Sequence, residues 1–171
     1  MGSVGVELAA WLGQMPGVRS DVEAARQRIG RLSRLLVKVM ERVAAENDIT
    51  TADLETLSVI RRNGGSVAPS RIAAELHLTS GSVSTRLRRL ERAHLAEADA
   101  PDPQDGRVRT IRLTDLGVRT WQEGTARRTE YEADLFAVLD EPTLAALNDG
   151  LAKLLARFEQ EFGNASRHDR N

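Results

Sequence analysis

The chain has 171 residues, of which 41% are hydrophobic and 29% are charged, and its 24 basic and 25 acidic side chains give a formal net charge of −1. This length and composition fit one folded domain and exclude an intrinsically disordered chain, while the absence of cysteine excludes disulfides and cysteine-ligated metal sites. No apolar stretch approaches the roughly 18 residues of a membrane span, and the first residues do not resemble a secretion signal, so we expect a cytoplasmic protein.

The chain begins with an extension over residues 1–19, followed by a long helix. Ser20 and Glu23 have the spacing of a capping box, in which a hydroxyl and an acid cap a helix start. Apolar residues then recur at spacings of three and four, typical of a helix that packs along its length against another. The sequence predicts a helix over residues 20–47, with this apolar stripe: Ala25, Ile29, Leu32, Leu36, Val39 and Val43.

Three shorter helices and a hairpin follow over residues 50–114. The first is capped near Thr50 and ends at Asn63-Gly64-Gly65, the second has Pro69 in its first turn, and the third runs from about Ser80 to Ala93. The segments 95–98 and 108–113 flank a tip rich in turn-forming residues, which predicts a β-hairpin.

Two long helices are predicted at the C-terminal end. The first spans residues 114–139, and the second spans 140–162, with leucines and phenylalanines at spacings of three and four; a polar tail covers 163–171. The apolar stripes of 20–47 and 140–162 lie outside the segment 50–114. They favour an interface between two copies of the chain, although packing within one chain is the alternative.

The helix from Ser80 has one apolar and one basic face. Val83, Leu87 and Leu90 share one side, while most of its hydroxyl and arginine side chains lie away from that stripe. Positive charge is also local, since residues 71–112 carry eight arginines and six acids, whereas 113–171 carry seven basic and eleven acidic residues. A merely solvated helix face is the less favoured interpretation, because a hairpin with arginines near its tip follows directly.

Two short helices joined by a tight turn and followed by a hairpin describe a winged helix-turn-helix. The fold class is thus mainly α, with a β-hairpin wing and N- and C-terminal helices that form a dimerisation region, all within one domain over residues 1–171. A dimer would place two recognition helices about one DNA turn apart on a pseudo-palindromic operator. The predicted contacts to double-stranded DNA are Ser80, Ser82, Ser84, Thr85, Arg86, Arg88, Arg89, Asp105, Arg107 and Arg109.

The wing carries a family resemblance. The segment Asp105-Gly106-Arg107, followed by Leu113-Thr114-Asp115-Leu116-Gly117, resembles the wing motif of the MarR family of bacterial transcription regulators. Together with the order of the helices, the resemblance to this family covers about residues 25–160. Where the family usually has Gly before Leu95, this chain has His94, a residue type that tolerates left-handed backbone angles. The resemblance implies a homodimeric repressor released by a small molecule.

A closer resemblance is to the PecS/HucR-type branch of that family, which has an extra N-terminal helix and responds to urate. It is carried by Trp11 and by the segment 80–87, and it implies an effector pocket formed by Trp11, Glu55 and Arg86. Two alternatives stay open: Trp11 docks the extra helix rather than stacking on a ligand, and Glu55 with Arg86 forms only a structural ion pair. Glu55 replaces the usual Asp, and a further Arg is missing near Ala98.

No enzyme class is indicated, since the sequence lacks phosphate-loop, metalloprotease and serine-hydrolase motifs. His77, His94 and His168 lie in different elements without metal-ligand spacing, so we expect neither a metal nor a cofactor. The alternative function is a winged-helix module that docks on protein and does not bind DNA.

Overall fold

The computed structural model describes residues 3–15, 17–99 and 110–164. The chain divides into two compact units, residues 1–42 and 43–171, and no described helix is long and apolar enough to cross a membrane. The structure confirms a mainly helical fold with a small hairpin. Its elements are α1 (Ser3–Gln14), α2 (Ser20–Glu46), α3 (Thr51–Arg62), β1 (Ser66–Val67), α4 (Pro69–Glu75), α5 (Ser80–Arg92), β2 (Ala96–Ala98), β3 (Ile111–Leu113), α6 (Asp115–Phe136) and α7 (Glu141–Phe162).

The first unit contains α1 and most of α2, whose first turn differs from the prediction. The Glu23 carboxylate, predicted to turn back toward Ser20, instead accepts hydrogen bonds from Arg26 Nε and Nη2 at 2.9 and 2.6 Å and from Gln27 Nε2 at 2.9 Å. These residues lie three and four positions on, where a formed helix brings side chains together. The hydrogen bonds, first from Arg26 and then from Gln27, lower the pKa of Glu23 to about 2.

The second unit begins with the end of α2 and with α3, whose cap matches the prediction. Thr50 Oγ1 accepts from the Asp53 backbone N–H at 3.1 Å, and Asp53 Oδ2 accepts from the Thr50 backbone N–H at 2.9 Å. At the other end, Gly64 and Gly65 adopt φ values of 83° and 90°. Such left-handed angles end the helix and return the chain toward β1.

The sheet has three antiparallel strands in the order β1-β3-β2. Ser66 pairs with Arg112 across β1 and β3, and Ala96 pairs with Leu113 across β2 and β3. The β2–β3 hairpin was predicted, whereas β1 was not. A strand of two residues is too short to show an alternating pattern in the sequence.

The core of the second unit lies between α3, α4, α5 and the sheet. Leu57 and Ile60 from α3, Ile72 from α4, and Val83 and Leu90 from α5 are each at most 1% exposed. Because these side chains come from all three short helices, burial of one apolar face fixes each helix against the others. The helix-turn-helix therefore has a packed interior of its own.

The last two helices start at the predicted caps. Thr114 Oγ1 accepts from Gly117 N at 3.0 Å at the start of α6, and Asp140 Oδ1 accepts from Thr143 N at 2.9 Å at the start of α7. Hydrogen bonds to Asp140, first from the Thr143 side chain and then from the Thr143 backbone N–H, lower the pKa of this carboxyl group. α6 ends at Phe136, three residues before the predicted boundary, and α7 has no buried residue within the protomer.

Candidate nucleic-acid interface

The helix α5 presents a polar face to solvent because its apolar side is buried. Val83, Leu87 and Leu90 are buried, whereas most side chains on the other faces are exposed and Arg86, Arg89 and Glu91 are half-buried. The cap is Thr79, whose Oγ1 accepts from Ser82 N at 3.2 Å. The exposed residues among the predicted DNA contacts of α5 are Ser80, Ser82, Ser84, Thr85 and Arg88.

The hydroxyls of α5 are held along the helix. Ser84 Oγ donates to Ser80 O at 2.9 Å, and Thr85 Oγ1 donates to Gly81 O at 3.1 Å. Arg88 Nη2 donates to Thr85 Oγ1 at 3.4 Å. Each hydroxyl therefore keeps acceptor capacity for an outside donor, and Arg88 has N–H groups left to donate to phosphate or to a base edge.

Arg86 and Arg89 both turn toward α3, and for Arg86 the contact with Glu55 was one of the two predicted directions. Arg86 Nη1 lies 3.3 Å from Glu55 Oε2 and 3.3 Å from Ala52 O, and the side chains of Arg86 and Glu55 are 19% and 18% exposed. Arg89 Nε donates to Asp53 Oδ1 at 2.6 Å. Both guanidinium groups contact the first turns of α3, so α5 is joined to α3 by two ion pairs.

The base of the wing is ordered by a polar cluster that sequence analysis missed. Asp99 Oδ2 accepts from Ser66 Oγ at 2.7 Å and from Thr110 Oγ1 at 3.4 Å, and Arg112 forms an ion pair with Glu97. These residues lie on or beside all three strands, so the cluster ties both arms of the hairpin to β1. No sequence signal could have found it, because Ser66 belongs to the strand that was not predicted.

Asp105, Arg107 and Arg109, the predicted contacts of the wing, lie outside the described residues, as does His168.

The junction between the wing and α6 explains the Leu-Thr-x-x-Gly part of the wing motif. Thr114 Oγ1 donates to His94 O at 2.6 Å while also capping α6, and Thr114 N donates to Leu95 O at 3.2 Å. A Cβ at Gly117 would lie 1.9 Å from Leu95 O, so this position requires glycine. His94 has φ of 57°, so the turn keeps its left-handed geometry without glycine.

A salt-bridged contact sets α4 against the end of α3. Glu75 accepts from Asn63 Nδ2 at 3.0 Å, from Arg71 Nε at 2.9 Å and from Arg62 Nη2 at 3.3 Å. The hydrogen bond from Asn63, followed by those from Arg71 and Arg62, holds the pKa of Glu75 below its ordinary value. The carboxylate stays ionised at neutral pH and fixes α4, the first helix of the helix-turn-helix, against the end of α3.

The residues predicted to bind an effector fall in both units. Glu55 and Arg86 are in contact in the second unit, and Trp11 lies on α1 in the first unit with 41% of its surface exposed. A cavity of about 230 Å³ in the first unit is lined by other residues. Within the described ranges, no group of three or more histidines and acids could hold a metal ion. The lining residues of the cavity are Glu7, Arg26, Gln27, Gly30, Arg31 and Arg34.

Comparison with known proteins agrees with this geometry. Residues 47–108 match the sequence model of the MarR family. The chain is similar to the HTH-type transcriptional regulator PecS of Dickeya dadantii (strain 3937), with 24% identity over 156 residues, which cover 90% of this chain and 91% of the relative.

Solved structures are similar over most of the chain. A mutant of S. aureus MepR bound to an oligodeoxyribonucleotide has a TM-score of 0.61 and 26% identity, covering 78% of this chain and 97% of MepR. Wild-type MarR from E. coli in its apo form has a TM-score of 0.59 and 25% identity, covering 74% of this chain and 95% of MarR.

The family match spans the helix-turn-helix and part of the wing, and the similar structures extend it to most of the fold. The resemblance inferred from the wing motif is therefore confirmed, as is the expectation that the protein is a regulator and not an enzyme. Residues 47–108 thus have the sequence of a MarR-family domain, and the fold of the chain is similar to that of MarR-family transcription regulators.

Proposed function

We propose that the protein is a repressor that binds double-stranded DNA in the cytoplasm as a homodimer. The observation that carries this proposal is the exposed hydroxyl and arginine face of α5, fixed by a buried opposite face and followed directly by the wing. The similarity to a MepR structure with bound oligodeoxyribonucleotide supports it.

The proposed contacts divide between the two grooves. The residues that would contact the major groove, where hydroxyl and guanidinium groups distinguish base pairs by hydrogen bonds to the base edges, are Ser80, Ser82, Ser84, Thr85 and Arg88 on α5.

At the wing, Arg107 would enter the minor groove, with Asp105 orienting its guanidinium and Arg109 adding charge.

The homodimer is proposed from the apolar stripe of α7. Leu151, Leu154, Leu155, Phe158 and Phe162 are 41–79% exposed in the protomer. An apolar surface of this kind on a soluble helix marks an interface. The stripe of α2 is also exposed, with Ile29, Leu32 and Leu36, which supports the proposal that the segments 20–47 and 140–162 are dimerisation helices.

Sedimentation of two α7 variants tests the dimer. Phe158→Glu places a charge in the stripe and is expected to give monomers, because an unpaired charge in an apolar interface is costly. Lys153→Glu changes the charge on the opposite side of the same helix and is expected to leave a dimer. A dimeric Phe158→Glu protein at the same concentration contradicts this interface.

An effector site at Glu55 and Arg86, completed by Trp11, is proposed from the resemblance to urate-responsive regulators. The ion pair is 3.3 Å long and mostly buried, so a purine or other small anion that competes for Arg86 would alter how α5 is held against α3. Such a ligand switches the protein only if it binds the DNA-fitting and non-fitting dimers with different affinities. The alternative is that Glu55 and Arg86 only stabilise the fold.

Fluorescence anisotropy tests the main proposal by measuring the binding of the protein to DNA from upstream of its own gene. Binding is measured at about 50 and 200 mM salt, with and without urate and related purines. Phosphate contacts release counterions, so we expect tight binding that weakens steeply with salt. Release by a purine supports the effector site, and tight binding that ignores purines removes it. No salt-dependent binding to any duplex would favour the protein-docking alternative.

A further inference from the structure

Arg89 of α5 is bonded to a buried carboxylate on α3. Asp53 has a side chain only 4% exposed, and its Oδ1 accepts from Arg89 Nε at 2.6 Å. Its Oδ2 accepts from the backbone N–H of Thr50 at 2.9 Å and from Thr50 Oγ1 at 2.7 Å. A second donor of the same guanidinium, Arg89 Nη2, lies 3.0 Å from Thr50 Oγ1.

A buried carboxylate needs a compensating charge, and removal of that charge leaves an uncompensated ion in a dry site. Arg89 supplies the charge, and its planar fork reaches Asp53 and Thr50 at once, which a lysine ammonium cannot reproduce. The Nε donor is therefore occupied, and the charge of Arg89 is largely offset by that of Asp53.

The position of Asp53 gives this contact a mechanical consequence. Thr50 and Asp53 cap α3, so Arg89 attaches the third turn of α5 to a rigid helix end. Arg86, one turn earlier in α5, attaches to Ala52 and Glu55 on the same helix. Two bonds one turn apart fix both the position of α5 along α3 and its rotation about its own axis.

We infer that Arg89 is a positioning residue, which holds α5 through Asp53 at the angle that DNA requires and does not itself contact DNA. This inference rests on the proposed function, in which α5 enters the major groove. Asp53, which is buried and lies on another helix, is then as important for operator affinity as Arg89.

The salt dependence of operator binding separates positioning from contact. Each neutralised phosphate contributes about 0.9 to the slope of log K against log salt. Arg88→Gln, at an exposed position of the same helix, removes one phosphate contact from each protomer of the dimer, so it is expected to lower the slope by about 1.8 and serves as the matched control. Arg89→Gln is expected to weaken binding by about tenfold with the slope of the parent protein.

Asp53 variants test the partner. Asp53→Asn is expected to reproduce the loss caused by Arg89→Gln, and the double variant, which keeps the net charge of the parent, is expected to bind no worse than either single variant. Arg89→Lys retains the charge but not the fork, so it should behave like Arg89→Gln. Thermal unfolding of each variant identifies any that fails to fold. If Asp53→Asn does not fold, the salt slopes of Arg89→Lys and Arg89→Gln alone decide whether Arg89 positions α5 or contacts DNA.

The inference is overturned by a slope that falls by about 1.8 in Arg89→Gln and is restored in Arg89→Lys, because that pattern belongs to a phosphate contact. It is equally overturned if both Arg89 variants bind the operator as tightly as the parent. A parent protein without salt-dependent DNA binding would remove the proposed function and this inference together. If the parent and Arg88→Gln behave as expected while Arg89 does not, only the positioning role fails.

Discussion

Replacement of Gly117 with alanine tests whether a close backbone approach sets the angle between the wing and α6. A Cβ at this position would lie 1.9 Å from the Leu95 carbonyl oxygen and 2.9 Å from its carbonyl carbon. Carbon and oxygen atoms in favourable contact lie about 3.3 Å apart or more. One of the two backbone segments must therefore move by more than about 1 Å.

The size of the effect follows from the atoms that must move. Overpacking costs about 1–3 kcal/mol, and the displaced Leu95 carbonyl also accepts from Thr114 N at 3.2 Å, a hydrogen bond worth about 0.5–1.5 kcal/mol. Alanine regains at most about 1 kcal/mol over glycine in a helix. After subtraction of that gain, we expect the free energy of unfolding to fall by about 0.5–3.5 kcal/mol, which lowers Tm by roughly 1–14 °C.

Calorimetry of the parent and variant at equal protein concentration measures this shift, since association would make Tm depend on concentration. Gly150→Ala is the matched control, because it lies within α7 and a Cβ there meets nothing within 4 Å. The control should unfold at the parent temperature or above it. A Gly117→Ala protein with the Tm of the parent would refute the close-approach argument.

Two further predictions concern acid stability and backbone geometry. In the folded protein Arg26 and Gln27 lower the pKa of Glu23 to about 2, against an ordinary value of 4.5. The contribution of ionised Glu23 to folding stability is therefore present above about pH 4.5 and is lost as pH falls toward about 2. Glu23→Gln should flatten the loss of thermal stability over this window, and an unchanged acid profile contradicts the interaction. His94 has φ of 57°, an angle that glycine adopts easily and a β-branched residue does not. His94→Gly should therefore raise Tm or leave it unchanged, whereas His94→Val should lower it. Equal Tm values for the two variants would show that the turn does not depend on this angle.

The helices could be predicted because their signals are local. Each predicted cap lies at the start of its helix in the structure: Thr50 with Asp53 at α3, Thr114 at α6 and Asp140 at α7. The buried face of α5 was equally predictable, since one period of 3.6 residues determines which side chains share a side. The direction of the Glu23 side chain at the start of α2 could not be predicted. Its partners Arg26 and Gln27 lie one turn later and are not part of the capping-box pattern.

The direction of Arg89 could not be obtained from the sequence, and that of Arg86 stayed open between DNA and Glu55. A helical projection places Arg89 on the polar side and Arg86 at its flank, but a long side chain can turn toward any acceptor within its reach. Both found acceptors on α3, 31 to 39 positions away in the chain. Their direction depends on how α3 packs on α5, which is a property of the tertiary structure.

This division among the four arginines of α5 predicts a limit on the salt dependence of DNA binding. Arg86 and Arg89 have carboxylate partners on α3, whereas Arg88 and Arg92 are exposed and donate to neutral groups within α5. If only the exposed pair neutralises phosphate, α5 contributes a slope of about 3.6 in a dimer, where all four arginines would contribute about 7.2. The double variant Arg88→Gln and Arg92→Gln should therefore lower the measured slope by up to about 3.6, and the double variant Arg86→Gln and Arg89→Gln should leave it unchanged. A larger loss of slope from the second pair than from the first would mean that the arginines release α3 when DNA binds, and that the charge of the whole helix is available to the phosphates.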